Sequence, residues 1–537
     1  MAVKNDTYRI LSSRPVSGLS RVLFKRTYFL VLLMVLYGAA ASGQEMLGVM
    51  NGNYAGVNGL VMNPSYPAGS VDFLSINLAG ADIYANSNYL FIHRKDYSLG
   101  GLFKVDINDP AYLYTYYYPS VQFTDTLHYL DYLKKTSLKR VFVNTRVLGP
   151  SLMYRNGIHT FSLVSGFRNN VSVDKMTYNT ANFIFRGLDF VPQQDITYSE
   201  GPYQVALLSW IELGLGYSCV VYEDDQKAFT AGITGKVLLG TAGAYGSVKD
   251  VTYNVPNNDT VLFDKLDCTM GFALPIDLSG GTELQTDPLI RGWGVGFDVG
   301  VSYVRKGGSA SGNALNADAV QDVAADYRYR VGLSLLDLGK ITFNQGVEVH
   351  EFSGVTNEMW SGLRGFHARS IRNFLNSASY NLLGDSTASL TDKSSFGIWL
   401  PAAVSLQADY NFGYHLFANL TFVQGISFGT PSVRRSTLLA LTPRYETRWY
   451  EVNLPLSLVD FRDPQIGLAL RIFGLTVGTE KLGTFLHLSD VRGVDLYFAL
   501  SFPIGPGKNN WKGPRSKSGP CDSYENYERY RVREKYR

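Results

Sequence analysis

Charge is scarce in this chain. Lys, Arg, Asp and Glu together make up 18% of it, below the usual quarter. The basic and acidic residues nearly cancel, leaving a formal +3, which does not point to nucleic acid. Cysteine is rarer still. Cys219, Cys268 and Cys521 are too few and too scattered for a disulfide framework or a zinc site, although a Cys219–Cys268 bridge stays open. No Walker motif, HExxH or nucleophile elbow is present, and no cofactor or metal is expected. After residue 43, no apolar run approaches the length of a spanning helix.

The single long apolar run lies at the start. Arg21, Lys25 and Arg26 precede the stretch 28–37 (YFLVLLMVLY), and small residues follow to Gly43. Basic, apolar, then small is the layout of a secretory signal peptide, so 1–43 reads as a leader cut before Gln44. An exported chain with no second apolar helix is either released or is a β-barrel.

What the chain does have is glycine (53), tyrosine (36) and alternation. In Trp293–Tyr303 the odd positions are Trp, Val, Phe, Val, Val and Tyr, and the even ones are Gly, Gly, Asp, Gly and Ser. Side chains on a strand alternate faces. One face is therefore wholly apolar, with aromatics at both ends, and about eleven residues suffice for a tilted strand to cross a bilayer. Similar alternation recurs at Leu74–Leu78, Ile211–Tyr217, Phe229–Val237 and Tyr329–Leu335. Asn156-Gly157 separates two strand-like runs, as a tight hairpin requires. The pattern predicts an all-β, transmembrane antiparallel barrel of 12 to 16 strands, with 14 the preferred count. Tight turns at one end alternate with long insertions at the other, as periplasmic turns and external loops would.

The face opposite the apolar one carries Glu212, Lys236, Asp298, Arg330, Asp409 and Arg471. A Lys or Arg facing lipid at the midplane costs about 2–4 kcal/mol, so these six are assigned to a polar lumen. The expected organisation is leader 1–43, a Gly- and Asn-rich N-terminal hatch 44–70, the barrel 71–504 and a tail 505–537. The insertion 93–138 reads as a long loop with room for one helix, and 360–376 reads as helical. The tail, with Arg529, Arg531 and Arg533 among tyrosines, is placed in the periplasm, either as a polar tail or as a docking segment.

Several segments resemble an outer-membrane barrel family catalogued as a domain of unknown function. They are 329–341 (YRVGLSLLDLGKI), Leu400-Pro401, 443–446 (PRYE), 452–457 (VNLPLS), 467–471 (GLALR) and 495–498 (DLYF). More distantly the chain is similar to the FadL class of fatty-acid transporters and the PorV barrel of type IX secretion. That resemblance implies a 14-stranded barrel with an N-terminal hatch whose Asn-Pro-Ala element corresponds to Asn63-Pro64-Ser65, with Ser in place of Ala. The basic tail beyond Phe502 departs from barrels that end on an aromatic residue.

Three functions follow as expectations. The first is passage or binding of a hydrophobic small molecule by a non-catalytic barrel in the outer membrane of a Gram-negative-type cell. The second is a protein-docking scaffold for surface export or envelope assembly, using the long insertions and the tail. The third, a lipid hydrolase, rests on the His-x-Ser spacing of His487 and Ser489, where the imidazole would activate the hydroxyl. Gly292–Gly296 superficially suggests a nucleotide loop, but no helix follows and the glycines fall on one face of a strand.

Overall fold

The computed structural model describes residues 45–70, 72–94, 113–115, 128–134, 137–188, 190–276, 288–307, 327–364 and 370–506. The leader and the tail, with Arg529, Arg531 and Arg533, lie outside the described residues.

Fourteen staves close into an antiparallel barrel. In chain order they are β1 (Asp72–Ser87), β2 (Lys139–Leu148 continued by Ser151–Asn156), β3 (His159–Met176), β4 (Tyr203–Glu223), β5 (Lys227–Asn257), β6 (Gly292–Lys306) and β7 (Tyr327–Phe343). Then come β8 (Phe396–Trp399 continued by Ala403–Gly413), β9 (Leu416–Gly425), β10 (Leu438–Glu446), β11 (Tyr450–Asn453 continued by Leu456–Val459), β12 (Asp463–Ile466 continued by Leu468–Ile472), β13 (Leu475–Thr479) and β14 (Asp495–Pro506). Each pairs with the next, and β14 closes on β1 from Asp72↔Pro506 to Tyr84↔Asp495. Closure leaves no unpaired edge for the bilayer, which offers backbone groups no partner.

Alternation decides which face meets lipid. On β6, Trp293 is 62% exposed, and Val295, Phe297 and Val301 also point out, while Gly294, Gly296, Asp298 and Gly300 are buried inside. Phe161, Leu215, Ile233, Leu333 and Leu406 continue this apolar outer surface around the wall.

The two ends differ. One carries the short turns at Asn156-Gly157, Asp224–Gln226, Tyr414-His415 and Thr447–Trp449, together with the longer connection from Lys306 to Tyr327; the other carries the insertions that follow β1, β3, β5 and β7. At the loop end β5 runs on well past the wall. Its 31 residues would span roughly 100 Å at about 3.3 Å each, against a hydrocarbon core of about 30 Å. The overhang from 243 to 257 pairs with Thr260–Ala273, which in turn pairs with Glu348–Val355 and Glu358–Trp360.

Two helices pack on this outer sheet. Helix α1 (Tyr178–Arg186) starts at Thr177, whose side chain caps the Thr180 N–H. Helix α2 (Ile371–Leu383) starts at Ser370, which caps the Asn373 N–H, and stops at Gly384 in the left-handed conformation. Leu375, Ala378 and Leu382 recur along the buried face of α2. The sequence places this helix about eleven residues too early; Trp360 ends a short strand instead. The insertion 93–138 likewise differs from expectation. Leu90–Ile92, Leu113–Thr115 and His128–Tyr132 form a small three-stranded sheet, because short aromatic and β-branched runs found strand partners there.

Candidate functional site

The lumen is occupied by the chain's own N-terminal segment. From Glu45 to Ser70 nearly every residue is buried, and the segment is too irregular to satisfy its own backbone. Lumen side chains supply the missing partners. Leu47 N donates to Glu480 Oε1 at 3.0 Å, and Asn53 N donates to Glu446 Oε1 at 2.7 Å. The Asn63 amide donates to Gln407 Oε1 at 3.1 Å, while its carbonyl oxygen accepts from Ser65 N at 2.9 Å and Ser65 Oγ at 2.7 Å. Pro64 passes so close to the wall that a Cβ on Gly232 would lie 2.1 Å from its carbonyl oxygen. A Cβ on Gly300 would lie 2.1 Å from Asn63 Oδ1. These lumen glycines make room for the segment.

The six charges assigned to the lumen, with their partners among the described residues, fall into two connected clusters and one further pair. Lys236 binds Asp298 at 2.6 Å and Asp337 at 2.9 Å. Asp337 also takes a two-pronged contact from Arg168, at 2.7 and 3.0 Å, and Arg168 reaches Glu212 at 3.5 Å. Arg435 joins this cluster to the plug, touching Asp337 at 3.5 Å and binding Glu45.

Nearer the turn end, Arg444 binds Asp409 at 2.7 and 2.8 Å and Glu446 at 2.7 Å. Arg330 lies 3.4 Å from Asp409 and covers the Tyr66 ring at 4.4 Å. Tyr327 bridges Asp409 to Asn53 of the plug. Arg471 binds Glu451 at 2.9 Å. Such pairs hold only when both partners are present, since each charge buried alone costs several kcal/mol.

Glu212, Lys236, Asp298, Arg330, Asp409 and Arg471 therefore stand in the lumen, divided among three groups. Alternation did not single out Arg168, Asp337, Arg435, Arg444, Glu446 or Glu45. His487 and Ser489 stand elsewhere, in the loop that follows the short helix Leu482–Phe485. His487 has φ +56°, and the 487 and 489 backbone N–H groups turn back onto Thr484 and Gly483. The two residues are thus not neighbours on one strand face, because the chain leaves the wall after Thr479. Cys219 and Cys268 are both free. They sit opposite Ala231 and Val248 of the same strand, roughly 55 Å apart at about 3.3 Å per residue. That excludes a bridge.

Two small voids lie in the bore beside the plug and the ion pairs of the described residues. One void of about 40 Å³ lies beside Leu60, Leu148 and the Arg168–Asp337 cluster. Another of about 10 Å³ lies beside Tyr54 and Arg471. A single water occupies about 30 Å³ of liquid.

A larger cavity than either lies at the loop end, outside the bore. It measures about 230 Å³ and sits between the overhang of β5, its partner strand and the two helices. Phe183, Tyr253, Phe263, Phe352, Trp360 and Leu375 dominate its wall, and no described lining residue carries a charge. Cys268 also lines it, and burial pushes its thiol up to about 12. This pocket is built almost wholly from insertions, where period-two alternation carries no information about what packs together.

A family model described as "family of unknown function (DUF5723)" matches residues 74–479. No curated protein matches the sequence. Among solved structures, the chain is similar to a ΔS2S3 mutant of the TodX monoaromatic hydrocarbon channel at 8% identity, with 87% of this chain and 99% of that chain covered and a TM-score of 0.39. The Ralstonia pickettii toluene transporter TbuX is also similar, at 8% identity, 87% and 99% coverage and a TM-score of 0.38. A Pseudomonas aeruginosa FadL homologue follows at 11% identity, 82% and 93% coverage and a TM-score of 0.34.

Proposed function

Because the chain belongs to DUF5723, a family of unknown function, its role has to be read from its own geometry, and we propose that it is a non-catalytic outer-membrane barrel that captures a hydrophobic small molecule. The observation carrying this reading is the loop-end cavity of about 230 Å³, walled by aromatic and aliphatic side chains. Small-molecule sites are concave, mostly apolar and largely preformed, and this one stands at the rim of a membrane-spanning cylinder. In this reading the loop end faces outward and the tail lies in the periplasm. The segment 44–70 is the hatch, and Asn63, Pro64 and Ser65 fix it against the wall. Passage through the bore then needs the hatch to move, since segment 45–70 is buried inside it and lies in close contact with the wall at Gly232 and Gly300.

The test is calorimetric. Butylbenzene titrated into the detergent-purified mature protein gives saturable binding, and Ala378→Trp, which fills the cavity from α2, abolishes it. Absence of binding to the unsubstituted protein, or binding unaffected by Ala378→Trp, contradicts the reading.

The docking scaffold is the second reading, and a specific observation favours it: the plug is tied to the lumen wall through Arg435, Glu446 and Glu480. Its surfaces would be the loop-end insertions and the tail carrying Arg529, Arg531 and Arg533. Deleting 505–537 should then remove a pulled-down envelope partner, whereas ligand capture should survive that deletion.

A further inference from the structure

The void beside the plug contains one cation that nothing in its wall answers. Arg146 belongs to β2 and lines that void of about 40 Å³. It is 5% exposed, yet a guanidinium keeps its charge in proteins and carries five N–H donors. Among the described residues Arg146 makes no hydrogen bond and no ion pair, and its Nη1 is buried without a partner.

The carboxylates of the same wall are already taken. Asp337 holds Arg168 and Lys236, and Asp298 holds Lys236. Glu212 accepts from Trp210 Nε1 at 3.2 Å and faces Arg168 at 3.5 Å. Asp82 stands opposite Arg146 in register on β1, but neither of its oxygens makes a hydrogen bond, so it does not take up the guanidinium. On the other side Arg146 is paired with Arg168 of β3, and like charges directly opposite on a sheet repel. The plug completes the enclosure, since Val57, Leu60 and Val61 line the same void.

We propose that this void binds a small monovalent anion, a halide above all, which Arg146 holds against the plug. A buried charge is costly when it stands alone and much less so when it is paired. An anion here gives the guanidinium its partner and lies between it and the competing charge of Arg168. The space suits a monatomic ion. A doubly charged oxyanion would overcompensate one cation and meet Glu212, Asp298 and Asp337 at short range, where like charges repel strongly. Because the ion touches wall and plug at once, it favours the seated plug and is released when the plug leaves. This site lies inside the bore and is independent of ligand capture at the loop end.

Two measurements on the detergent-purified mature protein test the site. Crystals grown in sodium bromide should show an anomalous bromide peak in the void, in contact with the Arg146 side chain. In solution, added protease should cut segment 45–70 severalfold more slowly in sodium bromide than in sodium gluconate of equal ionic strength, because gluconate is too large to enter. In Arg146→Met, shown to be folded by its circular dichroism, the two salts should give the same rate. No bromide peak in the void overturns the proposal, even if the variant fails to fold. Equal cleavage rates in the two salts for the unsubstituted protein overturn it as well, and so does a halide effect of unchanged size in folded Arg146→Met.

Discussion

Arg168 and Asp337 meet across the lumen through two hydrogen bonds of 2.7 and 3.0 Å, although one lies on β3 and the other on β7. Each is almost wholly buried, so neither charge has water to fall back on. Removing one partner leaves the other stranded, at a typical cost of about 3–5 kcal/mol. Asp337→Ala should therefore lower the temperature at which the heat-modifiable folded band is lost on a gel. A substitution that leaves this temperature unchanged would mean that the cluster contributes little to the fold.

The same residue marks where the sequence could and could not be read. Tyr329, Val331 and Leu333 point outward in strict alternation, and continuing that rhythm would put Asp337 in lipid. The strand instead carries a bulge: Val299 pairs with Leu335, but Phe297 pairs with Leu338. Asp337 takes φ +55° at the irregularity, and Leu336 and Asp337 are both buried. One extra residue reverses the parity of everything after it.

The wall itself was legible, because lipid outside and charge inside impose a period of two on every stave, and Glu212, Lys236 and Asp298 could be assigned to the lumen from that rule alone. Which charges meet was not legible, since Arg168, Arg435 and Glu45 come together from a strand, a loop and the plug. The loop-end cavity was hidden for a similar reason. Phe183, Phe263 and Phe352 come from three separate insertions and share no sequence period.

The close approach of Pro64 to Gly232 gives a second prediction. A methyl group at 232 would lie 2.1 Å from a backbone oxygen, far inside contact distance, so Gly232→Ala should push the plug away from the wall. Segment 45–70 should become sensitive to added protease, and the barrel should pass ions in a planar bilayer where the unsubstituted protein does not. An intact, non-conducting Gly232→Ala barrel would show that the plug is not held at this point.

A third prediction concerns acid. His350 is buried in the outer sheet, where its Nδ1 meets Ser389 Oγ at 2.9 Å. Burial lowers its pKa, Glu348 at 3.9 Å pulls the other way, and Arg372 adds to the lowering. A histidine held below its ordinary value favours the folded state most fully above about pH 6.5. That contribution is lost as pH falls from the unfolded value toward the lower folded one. Amide exchange in α2 and the adjoining 385–390 segment should accelerate between pH 7.5 and pH 5. His350→Gln should flatten the response; a response of equal size in that variant would assign the effect to another group.

The most direct check on the central claim, that the loop-end cavity holds a hydrophobic ligand, is the alkylation of Cys268. Its thiol lines the cavity, and burial pushes it up to about 12, so at pH 8 it reacts slowly with a maleimide. In a Cys219→Ser, Cys521→Ser background, butylbenzene at ten times its dissociation constant should slow that reaction roughly tenfold, as the unliganded fraction falls. An alkylation rate that stays the same at saturating butylbenzene would place the ligand elsewhere and contradict the account.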